Sequence, residues 1–493
     1  MKPAPLASRV ALCLGFLALL SFGRAATPAV KPNVVLILAD DLGWTDLGCF
    51  GSDLYETPNL DRLAREGMKF TQNYSACCVC SPTRAALMTG KYPARLHVTD
   101  WIPGAMPDNP KLIVPAWTKY LPLEEVTIAE AFKAAGYATA SIGKWHLATA
   151  GSHEYYPDRQ GFDVNIAGTD KPQPTTYYAP YKIPTLQPDG KEGEYLTDRL
   201  GDEAVKWIES VKDRPFFLYL PHFAVHLPVQ GRLDLTEKYQ QKIATTKARG
   251  ATLNHTNPGY AAMDESLDNA VGRVRAKIAE LGLADRTIVV FTSDNGGRIP
   301  TTSNKPLHFG KASAYEGGVR VPLIVHWPGV TKPGSVTDAP VITMDLFPTI
   351  AEMAGLPRAA ARTAIDGVSF ASVLRGGPAA RPTRDTLYWH YPHHQHYQLG
   401  GTMPYGAVRS GDFKLIEFYN DMHVELYDLR HDIGEEHDLA KSQPKKAGEL
   451  RARLHAWREE VGAQMPTPNP KYDPSRPEYN PPPGKAKKKA TGD

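Results

Sequence analysis

Continuous apolar runs alternate with amphipathic stripes along most of this chain. Asn33-Val-Val-Leu-Ile-Leu-Ala39 is apolar without polar alternation, a pattern that predicts a strand buried on both faces of a parallel sheet. Pro215 to Leu220, Thr287 to Thr292 and Pro322 to His326 repeat it. Helical patterns fill the intervals. Thr57 is placed to cap a helix with Pro58 at its first position and Leu60, Leu63 and Ala64 on one face. Thr127 and Glu130 form a capping-box pattern, followed by Ile128, Phe132 and Ala135, with Gly136 as the stop. Met263, Leu267, Val271, Val274, Ile278 and Leu281 mark a longer amphipathic helix. Strands alternating with helices predict an α/β domain with a mostly parallel sheet.

The texture changes near Gly376. Arg375 to Pro382 reads as a linker, and short β-type runs follow at Thr386–Tyr391, Gly406–Ser410, Phe413–Phe418 and Val424–Asp428. A polar helix is expected from about Lys445 to Val461. The expected units are a large domain over 31–376, a small α+β subdomain with an antiparallel sheet over 383–464, and a Pro/Lys-rich tail over 465–493. The tail's composition gives no ordered element. Residues 1–26 read as a secretory signal: basic Lys2 and Arg9, an apolar Ala11–Leu20 run, and small residues around Gly23 to Ala26. That run is too short to span a membrane, and no later segment is long and apolar enough. A secreted or periplasmic location is therefore expected.

Charge and cysteine content narrow the functional classes. The net charge of +3 disappears with Lys2, Arg9 and Arg24 of the signal, leaving 53 basic and 53 acidic residues. Nothing in that balance suggests a nucleic-acid partner. Cys77, Cys78 and Cys80 lie too close together for a disulfide framework, and no Cys or His pair with zinc-finger spacing follows.

Candidate chemistry lies at the strand ends, where open α/β sheets bind ligands. Asp40-Asp41 follows one apolar run, and Ser293-Asp294-Asn295-Gly-Gly297 ends another. Three carboxylates and an amide oxygen suit a hard cation, Ca²⁺ or Mg²⁺. Asp-Asp and Asp-Asn-Gly also occur as caps and turns, so each pair alone leaves both readings open. Gly143-Lys144-Trp145-His146 offers a cation and a titratable imidazole. His222 and His226 sit between Pro221 and Pro228, which favours a loop over a helical zinc site. Phe309-Gly-Lys311 leads into Tyr315-Glu-Gly-Gly-Val-Arg-Val-Pro322.

One stretch orders these fragments. Cys80-Ser-Pro-Thr-Arg84 continues to Leu87-Met-Thr-Gly90 and resembles the first signature of the sulfatase family. Gly136 to His146 resembles the second. The blocks at Asp40, His226, Asp294 and Lys311 fall in the family's order, and Lys414-Leu-Ile and Glu425 to Leu429 look like its C-terminal part. The resemblance implies an alkaline-phosphatase-like sulfatase fold: a large N-terminal mixed β-sheet sandwiched by helices, with a small C-terminal α+β domain bearing an antiparallel sheet. It implies hydrolysis of sulfate esters, with Cys80 oxidised by a formylglycine-generating maturation enzyme. Asp40, Asp41, Asp294, Asn295 and modified Cys80 would hold one Ca²⁺. Arg84 would anchor residue 80, His146 would act as base, and Lys144, His226 and Lys311 would bind sulfate and assist the leaving group.

The implied substrate is a sulfated glycan. Arg95-Leu-His97-Val-Thr-Asp100-Trp101 resembles sulfatases acting on galactose-type sugars, making His97, Asp100 and Trp101 candidate sugar contacts. Trp389 to Tyr397 could form a second wall, or be no more than a polar loop. The alternative reading is a phosphonate monoester or phosphodiester hydrolase of the same superfamily. A non-catalytic glycan-binding derivative is disfavoured because all the metal and charge residues remain.

Overall fold

In the computed structural model, Met1 and residues 31–357, 364–376, 380–395 and 403–478 are described. The rest of the expected signal and the basic run at Lys485 to Lys489 lie outside the described residues. The main sheet has eight strands: β1 (Asn33–Ala39), β2 (Met68–Phe70), β3 (Ala138–Ile142), β4 (Val164–Ile166), β5 (Phe216–Pro221), β6 (Thr287–Ser293), β7 (Leu323–His326) and β8 (Ser335–Thr337). Their order is β8-β2-β7-β6-β1-β5-β3-β4. The stretch from β6 through β1, β5 and β3 to β4 is parallel, while β7 runs antiparallel to both β6 and β2. The sheet is therefore mixed. The apolar runs correctly mark β1, β5, β6 and β7. The four other strands are too short or too polar for that signal.

Burial of β1 on both faces accounts for its unbroken apolar run. Val35, Ile37 and Ala39 pack under α1 (Pro58–Glu66), α4 (Leu196–Ser210) and α5 (Pro258–Glu280). Val34, Leu36 and Leu38 pack under α2 (Cys80–Thr89), α3 (Ile128–Ala134) and α6 (Leu346–Met353). Two apolar layers thus clamp one sheet. The Thr127–Glu130 capping box forms as expected. Thr57 makes no side-chain cap on α1. Its hydroxyl donates to Asp61, while Asp268 of α5 accepts from the Asn59 and Leu60 N–H groups at 3.1 and 2.7 Å. A distant carboxylate satisfies amides that a local cap would otherwise take.

The C-terminal part is an antiparallel meander of β9 (Thr386–Tyr391), β10 (Tyr405–Ser410), β11 (Phe413–Phe418) and β12 (Val424–Asp428), with α7 (Pro444–Glu460) against it. Its apolar side shares a core with Cys77, Cys78, Val79 and Tyr92. Within 465–478, the described part of the tail, the chain is fastened to the fold, contrary to its composition. Thr467 and Pro468 pair with Leu112 and Ile113, and Asn469 Nδ2 donates to Pro110 O at 2.7 Å. This order comes from backbone pairing with a remote loop, which local composition cannot reveal.

A buried ion cluster ties the meander to the large sheet. Lys414 Nζ of β11 lies 3.0 Å from both Glu316 Oε1 and Glu435 Oε1. Glu435 Oε2 accepts from Glu316 N at 2.6 Å, and Arg320 reaches Glu316 Oε2 at 3.2 Å. Burial pushes the Glu435 carboxyl up to about 7 against the pull of Lys414. Removing Lys414 would leave two buried acids short of their cation. Lys414→Met is expected to cost roughly 3–5 kcal/mol, read as a lower urea midpoint at neutral pH. An unchanged midpoint would show that the cluster does not fasten the two sheets.

Candidate active site

Sheet register assembles the site. β1 and β6 pair so that Ala39 stands opposite Ser293, which brings Asp40-Asp41 beside Asp294-Asn295. Asp41 leaves the strand with φ 62°, a left-handed turn that its short polar side chain tolerates. Its N–H donates to Asp294 Oδ1 at 3.2 Å, and its carbonyl accepts from Tyr260 OH at 3.2 Å. On the other side of β1, the loop after β5 bonds back through Val225 N to Asp40 O at 2.7 Å, which carries His226 to the site. After β3, Lys144 N donates to Pro221 O at 2.7 Å. Gly143 must be glycine here: its φ is 128°, and a Cβ would fall 1.8 Å from Pro221 O.

Cys80 is the first residue of α2. Its Sγ lies 3.7 Å from Asp40 Oδ1 and 3.5 Å from Lys311 Nζ. Lys311 is held by backbone bonds: its N–H donates to Gly297 O at 3.0 Å, and Ala312 N–H to Cys78 O at 2.9 Å. Asn304 Nδ2 joins the same loops by donating to Gly297 O and Phe309 O at 2.8 and 3.1 Å. Ser81 Oγ accepts from Ile102 N–H at 3.1 Å and donates to His146 O at 3.0 Å. Neither Asn304 nor Ser81 carried a signal in the sequence, because each acts through a turn that only the fold creates.

Three acids meet three cations in this space. Arg84 donates Nε and Nη2 to Asp294 Oδ2 at 3.0 and 2.8 Å and Nη1 to Lys144 O at 3.1 Å. Lys144 Nζ pairs with Asp40 Oδ2 at 2.7 Å, and Lys311 Nζ with Asp41 Oδ1 at 2.6 Å. All six residues are buried. Burial raises the Asp40 carboxyl to about 7 despite Lys144. Burial also pushes Asp41 upward, but Lys311 and His226 outweigh it and hold the carboxyl below the usual range. Asp294 is likewise held low, its burial outweighed by Arg84 and Lys144. Burial drives the Cys80 thiol up to about 12, more than Lys144 and Lys311 pull it back. A thiolate is therefore not available here near neutral pH.

The two histidines are held neutral. Burial takes His226 down to about 3 despite Asp41, whose Oδ2 is 3.6 Å from His226 Nε2. Burial and then Lys144 hold His146 well below its ordinary value. His146 Nε2 is 2.6 Å from Ile102 O, while its Nδ1 is buried without a partner.

The donor set fits a hard divalent cation. Asp41 Oδ2 and Asn295 Oδ1 are buried oxygens without a hydrogen-bond partner, although Asn295 Nδ2 donates to Asp41 Oδ1 at 2.8 Å. Such orphaned acceptors are costly unless a cation meets them. Asp40, Asp41, Cys80 and His226 place ligand atoms within 4.8 Å of one another. His222 lies outside that group, its ring buried with both nitrogens unpartnered.

Of the candidate sugar contacts, the structure brings only Asp100 to a pocket, beside His393. His97 is drawn away: its Nε2 lies 3.1 Å from Gly462 O beyond α7. Trp101 packs against the core of the small sheet and does not line the pocket. The motif's spacing could not show that His97 leaves the short Pro93–Leu96 helix in a left-handed turn, φ 54°. Within Trp389 to Tyr397, Trp389 and Tyr391 belong to β9, while His396 and Tyr397 lie outside the described residues.

The sulfatase family model matches residues 32–356, and a model described as N-sulphoglucosamine sulphohydrolase, C-terminal, matches 307–462. A sulfatase of Formosa agariphila is 36% identical over 87% of this chain and 88% of its own length. Human arylsulfatase A is 33% identical, covering 85% and 86%. The crystal structure of Ps i-CgsB superposes with a TM-score of 0.72 at 30% identity, over 88% of this chain and 94% of that one. The same protein has also been solved in complex with k-i-k-neocarrahexaose.

Calcium in excess is expected to raise the melting temperature of the wild type, since about a hundredfold excess over Kd adds about 2.7 kcal/mol. Asp41→Asn, which replaces one orphaned acceptor oxygen, should lose most of that rise. Equal rises in both proteins, read by differential scanning fluorimetry, would show that the ion binds elsewhere.

Proposed function

Because the chain belongs to the sulfatase family, and so is a sulfuric ester hydrolase, we propose that it releases sulfate from sulfated carbohydrates through formylglycine at residue 80 and one Ca²⁺. The observation that carries this reading is the setting of Cys80. It stands between Asp40 and Lys311 in a space that keeps its thiol protonated, so its own sulfur is a poor nucleophile. The same space holds three cations able to meet the negative charge of a sulfate ester. Oxidised and hydrated, residue 80 would supply an oxygen nucleophile in place of the thiol. A bound Ca²⁺ would add positive charge that polarises the sulfate; Asp40, Asp41, Asp294 and Asn295 would hold it.

The chain's own side chains then divide the work. Arg84 fixes Asp294 through two hydrogen bonds and braces the Lys144 carbonyl. Lys144 and Lys311 neutralise sulfate charge where it builds up in the transition state. Lys311, with His226 beside the same carboxylate, donates a proton to the departing oxygen. His226 is neutral as it stands, and the negative charge of a sulfate ester nearby would raise its proton affinity. His146, with an unpartnered Nδ1, would take the proton of the second residue 80 hydroxyl as the C–O bond to the transferred sulfate breaks, so that sulfate leaves and the aldehyde returns.

A sulfated, galactose-type sugar as substrate is supported by the relative solved with neocarrahexaose. The activity needs a formylglycine-generating partner enzyme, and the N-terminal pattern supports a secreted or periplasmic site of action. Hydrolysis of an aryl sulfate, an aryl phosphonate monoester and a phosphodiester, compared by kcat/KM, tests the reaction class. The sulfate is expected to be preferred, and Cys80→Ala to lose about 10³-fold or more in turnover. Preference for the phosphonate or diester, or full turnover by Cys80→Ala, would overturn the reading.

A further inference from the structure

A separate pocket of about 560 Å³ opens beside the nucleophile, a size suited to a small ligand. Its wall is the turn from Asp100 to Gly104, which the sulfate site shares: Ile102 N–H donates to Ser81 Oγ at 3.1 Å, and Ile102 O lies 2.6 Å from His146 Nε2. Asp100 and His393, both buried, line it. Asp100 Oδ1 already accepts from Tyr391 OH at 2.6 Å and Trp101 N at 2.8 Å. Asp100 Oδ2 stands 3.8 Å from His393 Nδ1, a gap that a ligand hydroxyl can bridge. His393 is held in place through Nε2, 2.8 Å from Thr99 Oγ1.

The opposite wall suits a charged sugar. Trp117 meets His393 edge-on, with ring centroids 5.4 Å apart, and the Lys119 ammonium lies 5.1 Å from the Trp117 ring centroid. Lys119 is exposed, and no carboxylate of the described residues lies within ion-pair distance of it. Gly104 lets the two walls approach each other. Its φ is 85°, and a Cβ there would fall 2.8 Å from the Trp117 ring and 3.2 Å from Asp100 Oδ2. The pocket thus offers an aromatic face, a hydroxyl-binding pair and an exposed cation, and the Ile102–Ser81 hydrogen bond links its wall to the residue next to Cys80.

We propose that this pocket binds the sugar adjoining the sulfated one, with its ring on Trp117 and an anionic substituent, a sulfate ester or a carboxylate, at Lys119. The inference rests on the sulfatase reading and deepens it: the substrate is an oligosaccharide carrying at least two negative groups. Stacking and ion pairing at a partly exposed site are each worth about a factor of 10 or less.

The test uses a sulfated galactose alone and the same sugar linked to a neutral, a sulfated or a uronic-acid neighbour. The wild type is expected to favour charged neighbours over the neutral one in kcat/KM. Lys119→Glu should lower that preference about 10-fold, and Trp117→Ala should lower the disaccharide-to-monosaccharide ratio about 10-fold. A preference limited to one neighbour would identify the group as sulfate or as carboxylate. Ratios unchanged in both variants, with sulfate still released, would overturn the pocket assignment alone. No release from any of these sugars, with the aryl sulfate still cleaved, would overturn it together with the carbohydrate reading. Thermal melts of both variants exclude misfolding as the cause of a change.

Discussion

The site depends on packing six charges out of water at the ends of four neighbouring strands. Asp40, Asp41 and Asp294 cannot be buried alone, and neither can Arg84, Lys144 and Lys311. Each ion pair, such as Lys144 with Asp40 at 2.7 Å, makes burial of its partner tolerable. The balance is local and nearly neutral, so a divalent cation entering with a sulfate monoester, a monoanion, leaves a net positive site that holds the sulfate group. The lysines that neutralise carboxylates in the protein alone are the groups that would turn to an incoming sulfate.

Much of the remaining architecture keeps these charges in register. The β1–β6 pairing aligns the two acid pairs, and the bond from Lys144 N to Pro221 O passes close to a glycine that leaves it room. Asn304 clasps the loops that end in Lys311. Lys414 fastens Glu316 from the small sheet, so the C-terminal meander steadies the segment that follows Lys311. Among the described residues, none of its acids, histidines or cysteines joins the ligand group around Cys80.

The sequence disclosed what is locally periodic or chemically unusual. Unbroken apolar runs marked β1, β5, β6 and β7, and the acids and lysines stood in short motifs beside them. Three-residue strands such as β2, β4 and β8 carry too few positions to show a pattern. Contacts between distant segments were equally hidden: Asp268 capping α1, Ser81 binding the Ile102 turn, and Thr467–Pro468 pairing with Leu112–Ile113. Side-chain direction was hidden as well: motif spacing placed His97 and Trp101 near the nucleophile, but not that His97 Nε2 lies against Gly462 O or that Trp117 and Lys119, which stood in no motif, line a pocket with Asp100.

The account turns on what residue 80 is when the enzyme works. The direct measurement is the mass of the peptide spanning Cys80, taken across preparations of differing specific activity. Activity should rise in proportion to the fraction of residue 80 converted to the aldehyde and approach zero where the thiol is intact. A fully active preparation in which Cys80 is entirely unmodified would contradict the account.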